Sequence, residues 1–455
     1  MNIYLLLYLL IALVLTISII SYKKGIYLIW IILLFVPTIM LEVTVLKLSV
    51  LTIILVSPLT CGLLNNDNRR ILSNFILKYW TFFVLYFIVS LSVALLSQTV
   101  SISYQIRRIF EESVILIFCI QTFLFLRNED KAIIVLRNII GFTIIANVIY
   151  CIIFEILLRF NPAGMPLYIL LGLENNEFIV DMIDSVRGDL DFRAQTIYRH
   201  PLSLGQYMLV FLPLFLTKGK VITRLLMTVS IFILIVLSGT RGALFPMLIV
   251  IVLHQMVNME SFVRKIFIFV SVFILMISLL PESYSEKMNH QVKPFIAALQ
   301  FWDENKQDEY DIKGSSIDMR MHQVEAAFKE IADNPIFGRG YGYREYWQSQ
   351  HHYLHPQLLG YESIFLYYLV ERGWLGLLFF FFMIYYMYII FTKKISDKTT
   401  IRLVYIGFVL SIIMTGIRPL SLLFVFLVCS LASAEDSKKR LIVRYNDTQN
   451  HVIEV

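Results

Sequence analysis

The chain alternates long apolar runs with short basic turns, from NIYLLLYLLIALVLTISII at its start to residue 433. That alternation leaves little choice of fold. A run of about 20 apolar residues reaches across ~30 Å of hydrocarbon at 1.5 Å per residue. Inside hydrocarbon a helix satisfies its own backbone, so repeated runs of this kind call for a helical bundle. Composition agrees: charged residues are only 16% of 455 and mean hydropathy is +0.73, whereas a soluble domain carries about a quarter charged residues. The fold class read here is an all-α polytopic integral membrane protein with about 12–13 transmembrane helices and a large external loop.

The first run has no basic residue before it and no small-residue cleavage pattern after it, so it reads as a retained span. Spans are predicted over 3–20, 26–41, 47–64, 80–97, 112–126, 132–158, 201–216, 223–238, 242–257, 266–280, 361–391, 403–417 and 419–433. Basic residues then fall on alternate connections: Lys23 and Lys24, then turns at 69–78, 127–131, 218–224, 264–265 and 393–402. The positive-inside rule puts that side in the cytoplasm and the N-terminus outside. The opposite side receives 42–46, 98–111, 159–200, 239–241, 281–360 and 418. The chain divides accordingly into N-terminal membrane helices (1–158), a first external loop (159–200) and central helices (201–280). A large external loop with an amphipathic helix (281–360), C-terminal helices (361–433) and a cytoplasmic tail (434–455) follow. The net charge of +6 is thereby a topology signal, and nucleic acid is set aside as a partner.

The loop 281–360 is acidic, with twelve Asp/Glu against eight Lys/Arg. Its run WDENKQDEYD lacks the spacing of a calcium loop. Cys61, Cys119, Cys151 and Cys429 all fall within predicted spans, so disulfides do not hold the external loops. In SSIDMRMHQVEAAFKEIADNPIFGRGYG, Asp318 is positioned to cap a helix, with Met321, Val324, Phe328 and Ile331 at helical spacing. Asn334-Pro335 ends it, and the glycines of GRGYG permit tight turns.

Six of the eight histidines lie in or beside the two long external segments: His200, His290, His322, His351, His352 and His355. Arg193, Arg199, Arg241 and Arg320 map to the same side. An arginine at the depth of Arg241 is costly and marks a functional candidate. Guanidinium forks pair bidentately with phosphate oxygens, so such a cluster suits a diphosphate. A metal at His351 and His355, four residues apart, is disfavoured because Pro356 draws His355 away from helical geometry. The run 361–391 is too long for one crossing at ~46 Å, and Glu371-Arg372-Gly373 suggests where it divides.

Four stretches then occur in a telling order: RAQTIYRHPLSLGQY, SGTRGALFPMLIV, DMRMHQVEAAFKEIADNPIFGRGYG and ESIFLYYLVERGWLGL. Over residues 190–390 they resemble bacterial O-antigen polymerases and O-antigen ligases. The resemblance implies a lipid-carrier glycosyltransferase architecture in the bacterial inner membrane, with the active site on the periplasmic face. It implies glycan transfer from an undecaprenyl-diphosphate carrier to a sugar hydroxyl, with no nucleotide sugar and no cofactor or metal. The partners implied are carrier-linked oligosaccharide donor and acceptor, the lipid bilayer, a chain-length regulator and a flippase.

On this reading Arg241, Arg193, Arg199, Arg320 and His200 bind the diphosphate and substrate, and Glu362, His355 and His352 are the candidates for the catalytic base. The sequence departs from the family at one place. Relatives carry histidine eleven residues before the glycine matching Gly373, and here that position is Glu362. This departure and the aromatic residues Tyr341, Tyr343, Tyr346, Trp347 and Tyr353, which suit sugar rings, favour polymerase over ligase. A flippase for lipid-linked oligosaccharide is the rival of another class, with Asn147 and Glu155 as its polar pathway.

Overall fold

A helix that is apolar on every face belongs in the middle of a bundle, and Pro201–Thr217 sits there. The structure is a computed structural model that describes residues 3–36, 41, 43–45, 47–97, 99–157, 193–198, 200–256, 317–344, 346–347, 363–393, 395–418 and 420–453. Its N-terminal helices are α1 (Ile3–Ile20), α2 (Tyr22–Phe35), α3 (Val50–Leu64), α4 (Asn66–Lys78), α5 (Trp80–Leu96), α6 (Ile102–Asn128) and α7 (Asp130–Tyr150). A π-helical turn (Cys151–Leu157) continues α7, and a two-residue antiparallel pair (Thr44–Val45 with Leu48–Ser49) precedes α3. The central helices are α8 (Pro201–Thr217), α9 (Val221–Leu237) and α10 (Arg241–Met256). Then come α11 (Ile317–Glu330), α12 (Ile364–Thr392), α13 (Thr399–Thr415) and α14 (Ser421–Ile453).

The central helix α8 is packed by α9, α10, α13 and α14. Leu204, Tyr207, Met208, Val210, Phe211 and Leu212 are all fully buried. Tyr207 meets Tyr198 and Phe424 edge-on, with ring centroids 4.9 and 4.8 Å away. The outside of the bundle is apolar too: Leu85, Ile88, Leu91 and Leu95 of α5 are exposed. Among the described residues, three helical stretches are long and apolar enough to cross a membrane, Ile102–Asn128, Asp130–Ile156 and Ile364–Thr392. The bent pair α3 and α4 would make a fourth. The all-α polytopic class expected from the apolar runs is therefore the one observed.

Twelve of the thirteen apolar segments coincide with helices, and the other, 266–280, lies outside the described residues. Several details differ from expectation, among them the last helix, which runs on from the expected end at 433 to Ile453. The connection at 98–111 is mostly helical, because α6 already begins at Ile102. The basic turn at 69–78 is a helix, α4, bent 105° from α3 and capped by Asn65, whose Oδ1 accepts the N–H groups of Asp67 and Asn68. In α11, Asp318 lies inside the helix rather than at its cap, and Met321 and Phe328 face outward. Gln323, Ala326 and Ala327 are buried in their place, and Ile331, just past the helix end, is buried as expected; the two alanines let the helix settle against α12.

The connections grouped by basic charge meet one another at one end of the bundle. Lys23 pairs with Glu129 and Lys438 with Asp130. Glu435 takes Arg137 at 3.1 Å and Lys218 at 3.5 Å, while Asp436 accepts the Ser396 N–H at 2.8 Å. The Lys23 ammonium holds the Glu129 carboxyl below its usual range, and burial lowers the Lys218 ammonium.

Candidate functional site

At the opposite end, residues 193–198 are threaded into the bundle by buried polar groups. Glu155 projects from the π turn, and its Oε1 accepts the N–H groups of Gln195 and Thr196 at 3.0 and 2.8 Å. Thr196 is held at φ +51°, a left-handed conformation that β-branched residues rarely adopt. Its hydroxyl donates to Asn147 Oδ1, and the Asn147 amide donates to the Thr143 carbonyl at 2.7 Å. Tyr198 reaches across to the Leu34 carbonyl at 3.3 Å, and the Ala194 N–H donates to the Leu237 carbonyl at 2.9 Å.

This anchoring delivers Arg193 to the end of α9. Its Nε donates to the Ser238 carbonyl at 3.1 Å, and its side chain runs beside Gly239. Gly239, at φ +59°, turns the chain back into α10, whose first residue is the buried Arg241. Thr240 fixes the turn by donating to the Pro201 carbonyl at 3.0 Å.

The turn between α13 and α14 is brought to the same place by Gln206. This residue lies in the apolar middle of α8, where an unsatisfied amide is expensive, and every one of its hydrogen-bonding positions is used. Its Nε2 donates to Ser411 Oγ at 3.1 Å and to the Gly416 carbonyl at 3.0 Å. Its Oε1 accepts the Arg418 N–H at 3.1 Å and the Ser421 hydroxyl. Gly242 lets α10 press on Thr415, since a Cβ at that position would overlap the Thr415 side chain.

Arg193, Arg241 and Arg418 are therefore carried by one group of interlocked turns. The N-termini of α8, α10 and α14 converge there with the C-termini of α9 and α13. Three positive dipole ends against two negative ones bias this end of the bundle toward anions.

Beside it, α12 is broken at Gly373 (φ +62°, ψ −168°), as the Glu371-Arg372-Gly373 sequence suggested. A broken helix exposes carbonyls and N–H groups on either side of the break. The segment 335–340 takes four of them: Arg339 N–H donates to the Val370 carbonyl and Gly340 N–H to the Glu371 carbonyl, both at 2.8 Å. In return the Trp374 N–H donates to the Pro335 carbonyl at 3.0 Å and Leu375 N–H to the Ile336 carbonyl at 3.1 Å. Arg372 finds an ion-pair partner outside α12. It reaches Glu112 of α6, with its guanidinium between the rings of Tyr341 and Tyr368, 4.1 and 4.3 Å from their centroids.

Of the anticipated site residues, Arg193 and Arg241 meet the same turn, Arg193 bonding Ser238 and Arg241 opening α10. His200 caps α8, its Nδ1 accepting the Leu202 N–H at 3.1 Å. Arg320 lies on the backbone of α11, and its side chain is outside the described residues. Arg199, His352, His355 and Glu362 also lie outside the described residues, as does Tyr353. Two of the aromatic residues assigned to sugars are structural instead. Tyr341 is buried with its hydroxyl on Ser90 at 3.0 Å, and Tyr343 is buried against Glu330 at 3.3 Å. Burial pushes the Tyr343 phenol up to about 12. Sequence reasoning missed Arg418 and Gln206; the isolated glutamine within an apolar run was the available signal.

Residues 226–381 match the family model described as O-antigen ligase. No curated protein matches the chain.

Proposed function

We propose, from the O-antigen ligase family domain at residues 226–381, that the chain polymerises carrier-linked oligosaccharide repeat units. The substrate would be undecaprenyl-diphosphate-linked, and transfer would occur on the outer face of the bacterial inner membrane. The acceptor hydroxyl oxygen bonds to the anomeric carbon of the donor. The bond from that carbon to the carrier diphosphate breaks, and the diphosphate departs with the electron pair. One such displacement inverts the anomeric centre. Charge grows on the leaving diphosphate, and groups fixed in advance around it lower the barrier most effectively. Arg193, Arg241 and Arg418, with the α10 N-terminus, would supply such groups, and the interlocking of the turns that carry them is the observation behind this reading. Glu362, His352 and His355 remain the candidates to take the hydroxyl proton.

The ligase reading, in which finished polymer passes to a lipid A core, is equally compatible with the matched family. The flippase reading loses its two pathway residues, since Asn147 and Glu155 hold Thr196 and Gln195 in place. The test is purified protein in detergent with a carrier-linked repeat unit. A ladder of extended sugars on the carrier is expected, and Arg241→Ala should abolish it while the protein remains inserted and monodisperse. A strict requirement for core lipid A would identify a ligase. Transbilayer movement in vesicles with no bond formed would overturn the enzyme reading.

A further inference from the structure

The same end of the bundle carries a second basic surface that the leaving-group site does not use. It lies at the start of α6, where Arg107 and Arg108 are adjacent. Glu111 takes Arg108 at 3.4 Å and the Ser49 N–H at 3.1 Å, while Glu112 is taken by Arg372. Among the described residues no carboxylate pairs with Arg107, and its Nε is buried with no hydrogen-bond partner. Its guanidinium lies over the Tyr104 ring, 4.6 Å from the centroid. Such a contact holds a cation in place and leaves its charge intact. Arg108 approaches the same tyrosine, its Nη2 donating to the Tyr104 hydroxyl at 3.2 Å.

Gly342 brings the aromatic loop onto this surface. At φ +70°, a Cβ there would stand 2.7 Å from the Tyr104 ring and 3.3 Å from Arg108 Nε. Tyr346 consequently meets Tyr104 edge-on at 6.1 Å, with Trp347 next to it, and both are half-buried. Forked N–H donors suit phosphate oxygens, and partly open rings beside them suit the apolar faces of sugars. The ligand class is a glycosylated lipid diphosphate.

An enzyme that extends one carrier-linked glycan with another holds two lipid diphosphates at once. The Arg193, Arg241 and Arg418 group accounts for the one that leaves. We infer that Arg107 and Arg108 bind the second, the diphosphate of the acceptor, with Tyr346 and Trp347 against its first sugars. This inference rests on the polymerase reading, because a lipid A core acceptor brings no carrier diphosphate.

The experiment titrates the purified full chain in detergent with farnesyl diphosphate, with farnesol as the control. Two equivalents bind to the wild type, one to Arg107→Ala/Arg108→Ala and one to Arg241→Ala. In transfer assays using a donor blocked at its own acceptor hydroxyl, the double variant raises the acceptor KM roughly tenfold, the scale of one lost charged contact. The donor KM stays unchanged, and Arg107→Lys/Arg108→Lys recovers part of the loss. An unchanged thermal midpoint shows that the double variant is folded. One equivalent in the wild type, or an equal rise in both KM values, overturns the proposal. Displacement by equimolar phosphatidylglycerol assigns the surface to bulk phospholipid and also overturns it. Two equivalents bound with no ladder formed would instead sink the polymerase reading.

Discussion

Gln206 accepts the backbone N–H of Arg418 at 3.1 Å across 212 residues of sequence, so a side chain in the middle of α8 sets the position of an arginine on another turn. The same amide holds the Gly416 carbonyl and Ser411. Gln206→Leu would leave the Arg418 N–H and Gly416 carbonyl without these partners, at about 1–3 kcal/mol for each buried group. The expected result is a clear fall in thermal midpoint and loss of transfer. Unfolding followed by size-exclusion chromatography, run beside the ladder assay, checks both. An unchanged midpoint would mean that the turn is positioned by something else.

Gly373→Ala tests whether the break in α12 is obligatory. Its backbone angles are essentially reserved for glycine, and a Cβ would come within 2.3 Å of the Ile336 carbonyl oxygen. The substitution should cost about 3 kcal/mol or more and detach 335–340 from the break. Amide hydrogen exchange at Arg339, Gly340, Trp374 and Leu375 should rise together. Protection retained at all four would show that the two segments do not depend on each other.

The break was legible because a run too long for one crossing contained Glu371-Arg372-Gly373. The partner of Arg372 was not legible, because Glu112 is 260 residues away and no local spacing points to it. Hydropathy began α6 ten residues late for a related reason. Its first turns carry Arg107, Arg108, Glu111 and Glu112, which depress an apolar window yet support a helix through the Arg108–Glu111 pair. Asn147 and Glu155 looked like a polar pathway since a sequence pattern does not reveal that Glu155 takes the backbone N–H groups of Gln195 and Thr196 and that Asn147 takes the Thr196 hydroxyl. The clustering of basic turns was legible because charge reports topology directly.

The Glu112–Arg372 pair should show strong coupling. Arg372 is 9% exposed and stacked between two tyrosines, so removing its counter-ion strands a buried cation. Glu112 is 36% exposed, which moderates the loss to about 1–3 kcal/mol. Glu112→Gln and Arg372→Met should each destabilise the protein, and the double variant should lose less than their sum. A double-mutant cycle on thermal or denaturant unfolding measures this, and simple additivity would show that the contact carries no net interaction.

Glu155 separates a structural carboxylate from one that moves protons or cations. It is 3% exposed, and its Oε1 accepts two backbone N–H groups that hold the segment bearing Arg193. Glutamine retains an oxygen that accepts both, so Glu155→Gln should keep transfer within roughly threefold, under ~1 kcal/mol. Alanine offers nothing to either N–H, and each stranded donor costs about 1–3 kcal/mol. Glu155→Ala should therefore lower the thermal midpoint and release Arg193 from Ser238, with transfer falling in parallel. A carboxylate that carried charge through the bundle would fail as glutamine and alanine alike. Loss of function in Glu155→Gln at an unchanged midpoint would thus restore the transport reading.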